Sequence, residues 1–179
     1  NLVDLSGLTP NLHINANGIQ SYGDIITMRG IANTQLFGPA GVQLYVDGVP
    51  QADVSSYSST LYDVESIEIL RGPQGHNFGK SVTGGAINIK TKAPSNQPTN
   101  QFSASYGTFD SQKYNLGSSG PLDDSLSYSL ALQRALTDGF VKNSAGSADT
   151  AETWHGAMKL HYDKGTGTKA TLGLNFESH

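Results

Sequence analysis

The residues that come nearest to a known piece of chemistry are Gly75-His76-Asn77-Phe78-Gly79-Lys80-Ser81, which follow the strand-like Ile67-Glu68-Ile69-Leu70 and nearly spell a phosphate-binding loop. That loop places four residues between its first Gly and Gly-Lys-Ser, so that successive backbone N–H groups can close around a phosphate. Here there are three, and one step back stands Gln74 instead of Gly. Downstream, Gly84-Gly85-Ala86-Ile87-Asn88-Ile89-Lys90-Thr91 reads as a strand, whereas a phosphate cradle opens a helix. Nucleotide chemistry is therefore not expected. The five His stand at 13, 76, 155, 161 and 179 without zinc spacing, and His155 and His161 share strand parity, as solvated side chains of one polar face do. Glu65 and Glu68 could be an acid/base pair, but no nucleophile or oxyanion partner stands near them, and Arg71 accounts for them as surface carboxylates. No catalytic residue, metal ligand or resident cofactor is expected, and the protein reads as a non-enzyme.

Composition narrows the classes that remain. The chain has 179 residues, 15% of them charged, against roughly 25% in an average soluble domain. Small polar residues take the place of charge, with 21 Gly, 20 Ser, 14 Thr and 12 Asn. These favour turns and half-polar strands over helices. The net charge of −4 and the lack of a Lys/Arg cluster leave no footprint for nucleic acid. There is no Cys, hence no disulfide frame and no thiolate site. No run approaches the ~20 apolar residues of a membrane helix, so any membrane role must use strands. The chain opens in what reads as the tail of a helix (Leu2, Leu5, Leu8, then Pro10) and stops inside a strand pattern, which gives the expectation of a fragment.

The stretch Ala93-Pro94-Ser95-Asn96-Gln97-Pro98-Thr99-Asn100 separates two textures. Before it, short strand-like runs (Leu12 to Asn15, Ile25 to Met28, Val42 to Val46, Ile67 to Leu70, Ala86 to Ile89) alternate with loops, and one helical turn is expected between Ser59 and Val64. Asp47-Gly48 after Val42 to Val46 predicts a type I′ hairpin turn. This half is expected to be a small mixed α+β unit. After the stretch, strict period-2 alternation sets in. Leu126, Tyr128, Leu130 and Leu132 alternate with Ser127, Ser129, Ala131 and Gln133, and the pattern recurs around Phe102 to Tyr106, Trp154 to Tyr162 and Ala170 to Phe176, with a weaker strand at Tyr114 to Ser118. Two architectures produce such alternation. A soluble antiparallel sandwich would turn the polar face to water. An outer-membrane barrel has strands of about ten residues, tight turns on one rim, longer loops on the other and aromatics at strand ends. Strand length and the positions of Tyr106, Tyr128, Trp154 and Tyr162 favour the barrel.

A specific resemblance follows. Ile26-Thr27-Met28-Arg29-Gly30, Leu44-Tyr45-Val46-Asp47-Gly48-Val49-Pro50, Val64 through Gly75, Phe78-Gly79-Lys80 and Gly84 through Ile89 resemble, in order and spacing, the plug domain of TonB-dependent outer-membrane receptors. Ser105-Tyr106-Gly107-Thr108-Phe109-Asp110 and Ser119-Gly120-Pro121-Leu122 resemble the first barrel hairpin and periplasmic turn of the same family, and the wording from Arg71 to Gly85 is most similar to ferric-siderophore receptors of the yersiniabactin/pesticin-receptor kind.

The resemblance implies an α+β plug, with a small mixed sheet and short helices, over residues 1–93, a linker over 94–100, and the first antiparallel strands, about five, of a transmembrane β-barrel over 101–179. The whole would be a plugged barrel of about 22 strands, with the front of the plug, the TonB box and most of the barrel lying beyond this chain. It also implies TonB-driven import of a scarce ligand, a ferric siderophore first, across the bacterial outer membrane. Cobalamin, haem, nickel or glycan import is the alternative, and a soluble β-rich binding module is the rival of another class. The implied partners are TonB, the ferric chelate and outer-membrane lipid. Gln35, Phe37 and Tyr57 on the apical loops are the expected ligand contacts, because rings and amides suit flat catecholate or phenolate groups. Arg29 and Arg71 are the expected lock, pairing with barrel glutamates that lie outside the chain.

Overall fold

The computed structural model describes residues 2–15, 24–32, 41–51, 63–75, 82–139, 142–143, 146–147, 150–165 and 167–178. The chain divides into two compact units, Asn1–Lys92 and Ala93–His179.

The first unit opens with a 3₁₀ helix over Leu2–Gly7, whose three-residue turn buries Leu2 and Leu5 together. It leads into a three-stranded antiparallel sheet of β1 (Leu12–Asn15), β2 (Ile25–Met28) and β3 (Ile31–Ala32). A second, mixed sheet has the order β5-β4-β7-β6, from β4 (Val42–Val46), β5 (Val49–Pro50), β6 (Val64–Arg71) and β7 (Gly85–Thr91). β7 runs parallel to β4 and antiparallel to β6, so both its edges are paired, and Gly85 through Ile89 are buried on both faces. The alternating apolar residues of β1 and β2 (Leu12, Ile14, Ile26, Met28) meet Val42, Leu44, Ile87 and Ile89 in one core with Leu2 and Leu5. A smaller cluster of Tyr45, Val82 and Ala86, with Leu70, forms apart from that core. The expected turn at Asp47-Gly48 is present, with φ of +51° and +79°, joining β4 to β5 through the pair Val46↔Val49. Asp47 also accepts from Thr91 twice, N–H to Oδ1 at 2.8 Å and Oγ1–H to Oδ2 at 2.7 Å.

Two expectations need correction. The run read as Ile67 to Leu70 begins at Val64 and ends at Arg71. A bulge between Val64 and Ser66 breaks the period-2 pattern there, so Val64 and Ile67 both face the core despite a spacing of three. The helical turn expected from Ser59 to Val64 falls at its start on residues 59–62, outside those described, while Val64 itself opens β6. Among the described residues the first unit is mostly strand, with the 3₁₀ turn at its start.

The second unit is an antiparallel meander of β8 (Thr99–Gly107), β9 (Ser111–Pro121), β10 (Leu126–Thr137), β13 (Ala151–Asp163) and β14 (Lys169–Ser178), in the order β14-β13-β10-β9-β8. A two-residue ribbon, β11 (Lys142–Asn143) with β12 (Gly146–Ser147), lies in the long connection. The strands run 9 to 13 residues. Parity divides the faces as read. One face carries rows such as Leu174–Met158–Leu130 and Phe176–Gly156–Leu132–Leu116–Phe102. Phe176 lies directly over Gly156, where any Cβ would collide with its ring. This apolar face is the exposed one, with Leu174 at 61% and Phe102 at 72% accessibility, while Ser127, Ser129, Ala131, Gln133 and His155 on the polar face are buried.

Candidate functional site

Arg29 occupies the first position of a two-residue turn between β2 and β3, with Gly30 second, at φ of +52° and +80°. A non-glycine residue in the left-handed region costs of order 1–3 kcal/mol and persists only where its surroundings impose it. Here the Arg29 N–H donates to the Asn11 carbonyl at 3.0 Å. Arg71 closes β6, and Gly72 follows at φ +93° with its N–H donating to Gly84 O at 2.9 Å. A Cβ at Gly72 would lie 3.4 Å from Arg29 Nη1. Gly85, the register partner of Arg71, leaves no room for a Cβ against Met28 Sδ and Leu70 O. Two glycines thus let the Met28-Arg29 and Leu70-Arg71 segments close on each other, and the Arg29 guanidinium comes to lie beside Gly72, the neighbour of Arg71. Both arginines are exposed. Among the described residues neither guanidinium has a carboxylate partner. A guanidinium presents a planar fork of N–H donors that suits bidentate carboxylates.

The other predicted residues fall as follows. Gln35, Phe37 and Tyr57 lie outside the described residues. Glu68 is not half of an acid/base pair: its carboxylate takes Lys90 Nζ at 2.7 Å and Asn88 Nδ2 at 3.1 Å. Those two bonds, Lys90 first, hold it below the ordinary carboxylate range. The segment after the phosphate-loop look-alike is β7, a strand, as its sequence indicates. His155 and His161 share the polar face of the second unit, His155 Nδ1 lying 3.6 Å from Glu177 Oε1 and His161 Nδ1 2.8 Å from Thr171 Oγ1.

Sequence reading missed a row that register assembles on that face. Ser103, Asn115, Gln133, His155 and Glu177 are successive cross-strand partners through all five strands. Asn115 donates to Ser103 Oγ at 2.8 Å, and Gln133 to Asn115 Oδ1 at 2.6 Å. Parity alone put these residues on one side, but only the register aligns them. In the first unit Asp24 is buried, and burial raises its carboxyl to about 6.

A glycine-poised plug-like unit followed by a meander with its apolar face outward defines a class, the plugged outer-membrane barrels. Residues 1–86 match the TonB-dependent receptor plug domain. The chain belongs to the TonB-dependent receptors, of which it carries the plug and the first barrel strands. It is 39% identical over 146 residues to the pesticin receptor of Yersinia pestis, covering 81% of this chain and 21% of that protein. It is 34% identical over 92 residues to the catecholate siderophore receptor Fiu of Escherichia coli, covering 51% of this chain and 11% of that one. The solved ferric yersiniabactin uptake receptor FyuA of Yersinia pestis superposes with a TM-score of 0.86 at 33% identity, over 98% of this chain and 28% of its own. The chain therefore spans about a fifth of the pesticin receptor's length.

Proposed function

We propose that this chain belongs to a receptor that imports a ferric siderophore across the bacterial outer membrane, with TonB supplying the energy. The observation that carries the reading is the 39% identity to the pesticin receptor across both units, with the likeness to a ferric yersiniabactin uptake receptor in support. In this reading residues 1–93 are the plug, 94–100 the linker and 101–179 the first barrel strands. The ferric chelate is cargo and not a resident cofactor, and the receptor catalyses no reaction. Gln35, Phe37 and Tyr57 meet the ligand. Arg29 and Arg71 hold the plug by pairing with barrel carboxylates beyond this chain, a role that suits their exposure and the lack of a carboxylate partner among the described residues.

Iron-limited cells that rely on the receptor test the proposal. Deletion is expected to abolish uptake of one ferric chelate, and uptake is expected to vanish equally in a strain without TonB. Uptake that persists without TonB would make the protein a porin. Unchanged iron uptake alongside lost cobalamin or glycan uptake would keep the family and overturn the substrate.

A further inference from the structure

Near the end of the meander that carries the long 138–150 connection, a polar cluster interrupts the apolar face, with Leu136 one step beyond it on β10. Arg134 and Trp154 are cross-strand partners, with Glu152 one step further along β13. One oxygen, Glu152 Oε1, accepts from Arg134 Nε at 2.9 Å, from Arg134 Nη2 at 2.8 Å and from Trp154 Nε1 at 2.9 Å. The Arg134 guanidinium also lies 5.1 Å from the Trp154 ring centroid. All three point to the side of Leu130, Met158 and Leu174, the face that meets lipid in this family. A lone Arg on that face would cost about 2–4 kcal/mol at the bilayer midplane and about 0–1 near an interface. Neutralised by Glu152 and capped by the indole, it suits a level where hydrocarbon gives way to headgroups.

The spacing agrees. Tyr162 stands at the opposite end of the same face of β13, eight residues from Trp154. At ~3.4 Å per residue and a tilt of about 40° that separation is about 21 Å across the membrane, against an apolar band of about 25 Å.

We propose that the Arg134–Glu152–Trp154 triad is a lipid-docking rim. It fixes the hydrocarbon–headgroup boundary at this end of the strands, with Glu152 as the positioning residue that holds the indole and Arg134 at that depth. Its partner is the phosphate-bearing headgroup layer, reached by the guanidinium N–H groups that Glu152 does not occupy. The inference rests on the outward face meeting lipid, and its test separates the two.

The receptor is reconstituted in phosphatidylethanolamine/phosphatidylglycerol vesicles whose acyl chains carry bromine either near the headgroup or near the chain end. Emission of Trp154 is read as the difference between the receptor and Trp154→Phe. Leu174→Trp in the Trp154→Phe background reports from mid-belt. Expected are preferential quenching of Trp154 by shallow bromine, preferential quenching of the Leu174→Trp reporter by deep bromine, and loss of the Trp154 depth preference in Glu152→Gln and Arg134→Gln. Both variants are to be heat-modifiable on gels, which shows a folded barrel. If neither position is quenched, the lipid-facing assignment fails. If the mid-belt reporter is quenched but Trp154 is quenched by deep bromine, by neither, or unchanged in both triad variants, the rim proposal is overturned.

Discussion

Replacing Gly85 by Ala would drive a methyl group into the closest contact of the first unit. A Cβ there collides with Met28 Sδ and Leu70 O and lies 3.3 Å from Met28 Cε, and the backbone sits at φ +152°. Leu70 O belongs to a paired strand and cannot retreat without breaking the β6–β7 ladder, and Met28 is fully buried in the main core. Overpacking of this kind costs about 1–3 kcal/mol and a strained backbone about 1–3 more. A combined cost of about 2–6 kcal/mol is a large part of the stability of any domain this size. At tenfold per 1.4 kcal/mol it corresponds to roughly thirty-fold to twenty-thousand-fold faster exchange of the amides that open with the unit. The assay is hydrogen exchange across Val64–Arg71 and Gly85–Thr91 in the intact receptor, with Gly7→Ala as the control, because a Cβ at Gly7 meets nothing within 4 Å. Equal exchange in Gly85→Ala, Gly7→Ala and the parent would refute the claim that the close approach of Met28 to β7 sets the stability of this unit.

Arg71→Ala in the receptor is expected to speed amide exchange from Ser66 to Thr91 while the barrel stays heat-modifiable. Lys90→Ala, whose partner Glu68 is as exposed as itself, is expected to change little, and identical exchange in the two variants removes Arg71 from the lock. Asp24 gives a pH dependence of known sign. Its native carboxyl titrates at about 6 against an ordinary 3.8, so the native state holds the proton longer, the stability is full below about pH 4, and up to about 3 kcal/mol of it is lost as pH rises through 6. Asp24→Asn is expected to flatten the urea midpoint between pH 4 and 7, and an unchanged profile would assign the slope to other groups. On β14, Leu174→Arg is expected to cost about 2–4 kcal/mol in micelle unfolding and Asn175→Arg far less, and the reverse order would exchange the two faces of the sheet.

What the sequence made legible follows from how local each signal is. Asp47-Gly48 is readable because two consecutive positive φ values suit few dipeptides, and the turn is where those residues stand. The faces of β10 and β13 are readable because a strict period of two needs no knowledge of the partner strand. The strand signal from Ile67 to Leu70 misses the first three residues of β6 because the extra residue at Val64/Ser66 inverts the parity before it. The meeting of Arg29 with the Arg71-Gly72 corner has no local signal, since it depends on Gly72 and Gly85 admitting β2 across the end of the mixed sheet. The same holds for the Ser103 to Glu177 row and for the Arg134–Glu152–Trp154 cluster. Both are products of register, and a slip of one residue would disperse them.

Which face of the meander is covered decides between the two architectures that its alternation allows. A sandwich packs apolar face on apolar face and leaves the polar face in water. Its Leu130, Met158, Leu172, Leu174 and Phe176 would then be buried and its Ser127, Ser129 and Gln133 wet. The accessibilities run the other way: those five apolar side chains are between 38% and 61% exposed, and the three polar ones between 2% and 8%. An aqueous surface does not sustain a contiguous apolar patch across five strands, so the solvent on that side has to be apolar itself. The polar side answers a different demand. Its buried Gln133 and His155 lie in a polar row across five strands, in which Gln133 donates to Asn115, Asn115 donates to Ser103, and His155 stands 3.6 Å from Glu177, which is tolerable in a lumen lined by polar groups and costly in a hydrocarbon core. The two faces impose opposite solvents on one sheet, and a lipid-embedded wall enclosing a polar interior is the arrangement that supplies both.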